Sequence, residues 1–184
     1  TYEWFKIRAV AGRGTTTFLP ASLEPTLAQL PANIADSLRL EEDTATFYGL
    51  GLEVDKFDWF VSAEITEVDI EESFSPKDTA YYVTAGIRSG KFTPSITHEV
   101  FDGEVDIRFL DQVAALPAPF QGPVGAAVTG VQQAFSSKYN VTTLGVRYDL
   151  DTNMALKADV SKYQDDLVES ADATLVRFAV TYVF

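Results

Sequence analysis

The stretch from Thr174 to Phe184 alternates without interruption. Thr174, Val176, Phe178, Val180, Tyr182 and Phe184 fall on one side, and Leu175, Arg177, Ala179, Thr181 and Val183 on the other. Successive side chains of a β-strand point to opposite faces, so this pattern predicts a strand with one strongly apolar face and one mixed face. The first face suits lipid and the second a wetter interior.

The same period of two recurs along the chain, and no segment carries helical periodicity of comparable regularity. Between Phe47 and Asp55, Tyr48, Leu50, Leu52 and Val54 face one way and Gly49, Gly51, Glu53 and Asp55 the other. A turn near Lys56 leads to Trp59, Val61, Ala63 and Ile65, which completes a hairpin. Tyr81, Val83, Ala85 and Ile87 repeat the pattern, Ser89-Gly90 turns the chain, and Phe92 to Val100 returns. Leu144, Val146 and Tyr148 form a further apolar row, Leu150 to Asn153 turns, and Met154, Leu156, Ala158 and Val160 follow. With the opening stretch, Tyr2 to Gly12, the reading predicts eight strands.

Their connections alternate in length. Those near Lys56, Ser89-Gly90 and Asp151-Thr152 are tight, whereas residues 13–43, 69–78, 102–137 and 164–172 form long loops. Short turns on one side and long loops on the other are the habit of outer-membrane barrels, whose long loops are extracellular. A soluble β-sandwich has no reason to sort its loops in this way. The expectation is therefore all-β: a transmembrane antiparallel up-and-down barrel region spanning 1–184. Outward aromatics agree with an interfacial belt, with Trp59, Tyr148, Tyr182 and Phe184 toward the short-turn side and Tyr48 and Tyr81 toward the loops.

Composition alone points elsewhere, since 46% hydrophobic and 22% charged residues suit an ordinary soluble domain. No run of about 18 apolar residues is present, which excludes a helical membrane span. A net charge of −13 argues against nucleic acid and against a basic patch on anionic lipid. The absence of cysteine suits passage through an oxidising periplasm. No cationic, apolar signal segment opens the chain, so such a segment is expected to have been removed or to lie outside it.

The ending Val176-Arg177-Phe178-Ala179-Val180-Thr181-Tyr182-Val183-Phe184 resembles the terminal strand that outer-membrane proteins present to the barrel assembly machinery. Phe178, Val180, Tyr182 and Phe184 are the residues of that signal. The stretches from Tyr81 to Pro94 and from Leu144 to Leu150 resemble segments of Gram-negative porin-like proteins. Over residues 44–184, loops excepted, the chain is similar to the C-terminal half of such a porin. The resemblance implies residence in the bacterial outer membrane and a water-filled passage for small hydrophilic solutes or ions. It further implies a homotrimer as a possible assembly and a barrel of about sixteen strands. Eight strands are half of that number, and Thr1 leads directly into a strand, so the chain reads as strands nine to sixteen. The alternative is a complete, non-conducting barrel with a structural, adhesion or receptor role. Eight strands suffice to close, but the interior is then filled by side chains. Small inward residues such as Gly49, Gly51, Ser62, Thr84, Gly86, Thr97 and Gly145 leave space, which favours a lumen.

The residues expected to line that lumen are Lys6, Arg8, Glu53, Glu64, Arg88, Glu99, Arg147, Lys157, Asp159 and Arg177. Two readings of them stand side by side. Either the cations form a basic wall that attracts anions, or they pair locally with the carboxylates and keep the lumen polar. Surplus acid sits in the long loops, at Glu41, Glu42, Asp43, Asp69, Glu71, Glu72, Asp102, Glu104, Asp106, Asp165, Asp166, Glu169 and Asp172. It reads as a solvated rim, or alternatively as a place where divalent cations bridge to lipopolysaccharide. Leu23 to Leu40 and Phe109 to Phe135 are long and apolar enough to carry a helical turn or two. They are expected to narrow the mouth or to pack on each other.

Enzymatic chemistry finds little footing. The only histidine, His98, falls on the outward face, and Ser62 and Ser95 have no base arranged beside them. Asp149 to Asn153 imitates the opening of a calcium loop but lacks its glycine and closing glutamate. Gly12-Arg13-Gly14 has no phosphate-loop lysine after it, and no residue pattern calls for a cofactor.

Overall fold

A computed structural model describes residues 3–18 and 21–183. Of the residues singled out above, Thr1, Tyr2 and Phe184 lie outside the described residues. In chain order the elements are β1 (Phe5–Phe18), α1 (Glu24–Leu27), α2 (Ala32–Ser37), β2 (Leu40–Asp55), β3 (Trp59–Ile70), β4 (Asp78–Ile87) and β5 (Phe92–Gly103). There follow α3 (Leu110–Ala114), α4 (Ala118–Gln133), β6 (Ser137–Asp151), β7 (Met154–Asp165) and β8 (Ala173–Tyr182). The eight strands form a single up-and-down sheet in sequence order, each antiparallel to its neighbours.

The sheet is open, which differs from the closed barrel expected of the sequence. Closure requires the first and last strands to exchange backbone hydrogen bonds. Here β1 pairs only with β2 and β8 only with β7, so each leaves one edge without a strand partner among the described residues.

Local chemistry fixes the register of each hairpin. Lys56 donates its backbone N–H to the Trp59 carbonyl at 2.8 Å and closes the β2–β3 turn. Ser89 and Phe92 exchange backbone bonds of 2.8 and 3.1 Å around Gly90, whose φ of +60° is a conformation that glycine adopts without steric cost. Between β6 and β7 the Asp151 carboxylate accepts the Thr152 N–H at 2.7 Å, next to a shift of register between Asp149 and Asp151. The long connections are those expected, but the first is shorter than 13–43. The β1–β2 ladder continues through Thr15↔Thr44 and Thr16↔Asp43 to Phe18↔Leu40. β-Branched threonines sustain it, since their side chains pack well on a pleated surface.

The two faces differ as the alternation requires. Outward side chains in the middle of the strands stay uncovered: Ile7 is 66% exposed, Leu144 61% and Phe178 81%. Among the described residues the contiguous apolar core lies instead in the loops. Leu27, Ile34, Ala35, Leu38, Val113, Val128 and Val131 from the two helical connections bury themselves with Phe74 of the β3–β4 loop and Leu40 at the start of β2. Ile70, at the loop end of the polar face, packs against this cluster.

The long loops thus pack on one another and form a cap. Asn33 donates to Gln112 at 3.1 Å, and Gln112 donates to Ser37 at 3.0 Å, which ties the β1–β2 connection to the β5–β6 connection. The Arg108 guanidinium donates to the Ser73 carbonyl at 2.7 Å, and Phe74 meets the Phe135 ring edge-on at 5.1 Å, so the β3–β4 loop is held between them. The helix α4 is longer than the turn or two expected, because its prolines are tolerable where they stand. Pro119 lies in the first turn, where backbone donors have no intrahelical partner, and Pro123 costs one further hydrogen bond.

Candidate functional site

The polar face of the sheet gathers every residue expected to line a lumen. Register places Lys6 and Glu53 in one row, followed across the sheet by Ser62, Thr84, Thr97, Thr143 and Ser161. The next row toward the loops holds Arg8, Gly51, Glu64, Tyr82, Glu99, Val141 and Tyr163. Toward the turns, Asp55, Phe60, Gly86, Ser95, Gly145, Asp159 and Arg177 form a third row, and Thr93, Arg147 and Lys157 lie beyond it.

Small residues make close cross-strand packing possible here. Thr84 and Thr97 share a hydrogen bond of 2.8 Å, and Thr143 and Ser161 one of 2.7 Å. A Cβ on Gly86 would come within 2.4 Å of the Phe60 ring, so that ring occupies the space a larger residue would fill. Arg88 lies over the same ring at 5.0 Å and grips Asp55 with bonds of 2.7 and 3.1 Å. The hydrogen bond that Arg88 donates to Asp55 holds its pKa above the ordinary value, so this turn residue stays a cation.

Five of the six cations of this face are matched by carboxylate neighbours. Lys6 pairs with Glu53 at 2.9 Å, Arg8 with Glu64, Arg88 with Asp55 at 2.7 Å, Arg147 with Asp149 at 2.7 Å and Arg177 with Asp159 at 2.7 Å. Six cations (Lys6, Arg8, Arg88, Arg147, Lys157, Arg177) face nine carboxylates (Asp43, Glu53, Asp55, Glu64, Asp78, Glu99, Asp149, Asp159, Asp165). Local pairing therefore describes these residues better than a basic wall does. Asp43, Asp55, Asp78, Asp149 and Asp165 were the carboxylates missing from the expected set. The aromatic cluster of Phe101, Tyr139 and Tyr163 was missed as well.

At the loop rim, cations also thread the acidic clusters. Arg13 meets Glu71 at 3.6 Å, Lys77 meets Glu67 at 2.8 Å, and Lys138 lies between Asp102 and Glu104 at 3.0 and 3.2 Å. The hydrogen bond that Lys77, a loop residue, donates to Glu67 raises the pKa of its ammonium. Among the described residues no group of three or more His, Cys, Asp or Glu side chains is placed to hold a metal ion. His98 lies on the outward face, its Nδ1 3.0 Å from the Thr142 hydroxyl.

Phe178, Val180 and Tyr182 share the outward face of β8 and are 81%, 67% and 57% exposed. Phe184, the remaining residue of the expected assembly signal, lies outside the described residues. A scan against protein-family models finds no match to this chain, and neither curated proteins nor solved structures give one.

Proposed function

We infer that this chain is part of an outer-membrane porin-like channel that lets small hydrophilic solutes or ions diffuse passively across the outer membrane of a Gram-negative bacterium. The observation that carries the reading is the inverted burial of the sheet. Its outward apolar side chains, such as Ile7, Leu50, Leu144, Val160 and Phe178, are 48–81% exposed, while the polar, glycine-rich face is the more enclosed. Leaving such a surface in water would forfeit roughly 25 cal/mol for each Å² of apolar area that burial would otherwise gain. A bilayer removes that cost. A β-sandwich removes it with a second sheet, and these eight strands belong to one.

Both free edges favour a channel over the non-conducting alternative. Unpaired strand edges do not persist in hydrocarbon, so β1 and β8 call for further strands, and a barrel of about sixteen supplies them. Many inward side chains are small, as at Gly51, Ser62, Thr84, Thr97 and Gly145, which favours a hollow wide barrel. Phe178, Val180, Tyr182 and Phe184 would then serve the assembly machinery, and the outward face would meet lipid and, in a homotrimer, neighbouring copies. The rim carboxylates would face lipopolysaccharide. With nine carboxylates against six cations, this half of the wall contributes a mild preference for cations.

Single-channel recording tests the reading. Protein extracted in detergent from native membranes and added to a planar bilayer should give stable, ohmic steps. A salt gradient should give a reversal potential of the sign that marks weak cation preference. Absence of conductance from protein shown to be folded overturns the channel.

A further inference from the structure

We propose that the polar face carries a binding subsite for small organic cations, in the cleft where Glu99 meets the aromatic side chains of β4, β5 and β6. The proposal rests on the reading of this face as the wall of an aqueous lumen.

Register builds the cleft from two adjacent rows. Glu64, Tyr82 and Glu99 lie side by side in one, and Ala80, Phe101 and Tyr139 in the next row toward the loops. These residues line a cleft of about 220 Å³, large enough for a ligand the size of a single ring with a charged head. Phe101 and Tyr139 are parallel within 15° at 5.3 Å, so Tyr139 covers one side of the Phe101 ring. On the other side β4 presents Ala80 directly across the ladder, with Asp78 nearer the loops beside Gly103, and Phe101 lines the cleft.

The two carboxylates differ in what surrounds them. Glu64 is matched by Arg8, whereas Glu99 forms no ion pair or side-chain hydrogen bond among the described residues. Its neighbours across the ladder are Tyr82 and Val141, neither of which carries positive charge. An unmatched carboxylate beside aromatic rings selects a ligand that brings both a cation and an apolar body, since the negative faces of aromatic rings also attract cations. Neutral solutes gain no charge term there, and anions are repelled. The same acidic cleft would hold passing cations briefly at the wall and raise their local concentration.

The test is calorimetric titration of the detergent-extracted, folded protein with benzyltrimethylammonium, with benzoate as the anionic control. Saturable binding of the cation and none of benzoate is expected. Glu99→Gln should weaken binding by roughly fivefold, the factor for one unit charge at about 4 Å in water. Phe101→Leu should weaken it by about two- to thirtyfold through loss of the ring. Circular dichroism of each variant establishes that the sheet is retained. No binding to the native protein, equal binding of benzoate, or unchanged affinity in both folded variants overturns the subsite. Bilayer recording separates the two claims. Saturable binding without conductance sinks the channel and keeps the cleft, while conductance that the cation neither blocks nor accompanies with binding sinks the cleft and keeps the channel.

Discussion

Gln132 is fully buried, and its side chain makes three hydrogen bonds that hold the cap together. Its Oε1 accepts the Arg108 N–H at 2.8 Å, and its Nε2 donates to the Arg108 carbonyl at 2.9 Å and to the Val128 carbonyl at 3.3 Å. Arg108 in turn anchors the β3–β4 loop through Ser73. Replacing Gln132 by Leu keeps the volume and removes the polar partners of both Arg108 backbone groups. Each unsatisfied group costs about 1–3 kcal/mol, and the exposure of Arg108 itself puts the sum near 2–4 kcal/mol. Because about 1.4 kcal/mol is a factor of ten, local opening of the cap should become roughly 30- to 700-fold more frequent. Hydrogen exchange of the detergent-solubilised protein, read by mass spectrometry, should show that increase in peptides from 104–136. Peptides from β6 and β7 should not change. Acceleration below about threefold in 104–136, or equal acceleration in the sheet, would refute a cap that opens independently and is pinned by Gln132.

Three further outcomes follow from the same geometry. Leu144→Arg places a cation on the outward face of β6, where a water-exposed residue would tolerate it, and should cost about 2–4 kcal/mol in a bilayer, read by unfolding in urea from lipid vesicles. Gly86→Val should drive the Phe60 ring from its place and destabilise the folded protein by about 1–3 kcal/mol, measured the same way, whereas Gly14→Val meets open space and should be tolerated. Arg177→Gln leaves Asp159 unpaired on the polar face and should move the reversal potential in a salt gradient further toward cation preference, with no loss of sheet by circular dichroism.

The strands were legible in the sequence because one side of each is polar or small and the other apolar, and a period of two has no helical imitation over ten residues. Val176, Phe178 and Val180 alone fix the phase of β8. The cap was visible only as apolar residues without a role. Leu27, Phe74 and Val131 come from three separate connections, and their meeting depends on contacts that no local pattern encodes. The length of α4 was hidden by its prolines, which read as breakers unless the helix start is known. Ion pairing was legible only in part. Arg177 and Asp159 are neighbours solely through the β7–β8 register, and Asp149 partners Arg147 within one strand. Whether the sheet closes on itself is a matter of its two edges, and alternation within a strand says nothing about edges.

The most direct test of the central claim compares two adjacent residues of β7 in a chain that contains no cysteine. Lys157 lies on the polar face and Leu156 on the outward face. Each is changed singly to cysteine, the protein is inserted in a planar bilayer, and a membrane-impermeant thiol reagent is added while single-channel current is recorded. The account predicts a stepwise change of current for Lys157→Cys and none for Leu156→Cys. Modification of Leu156→Cys with Lys157→Cys silent, or no current from either folded protein, would contradict it.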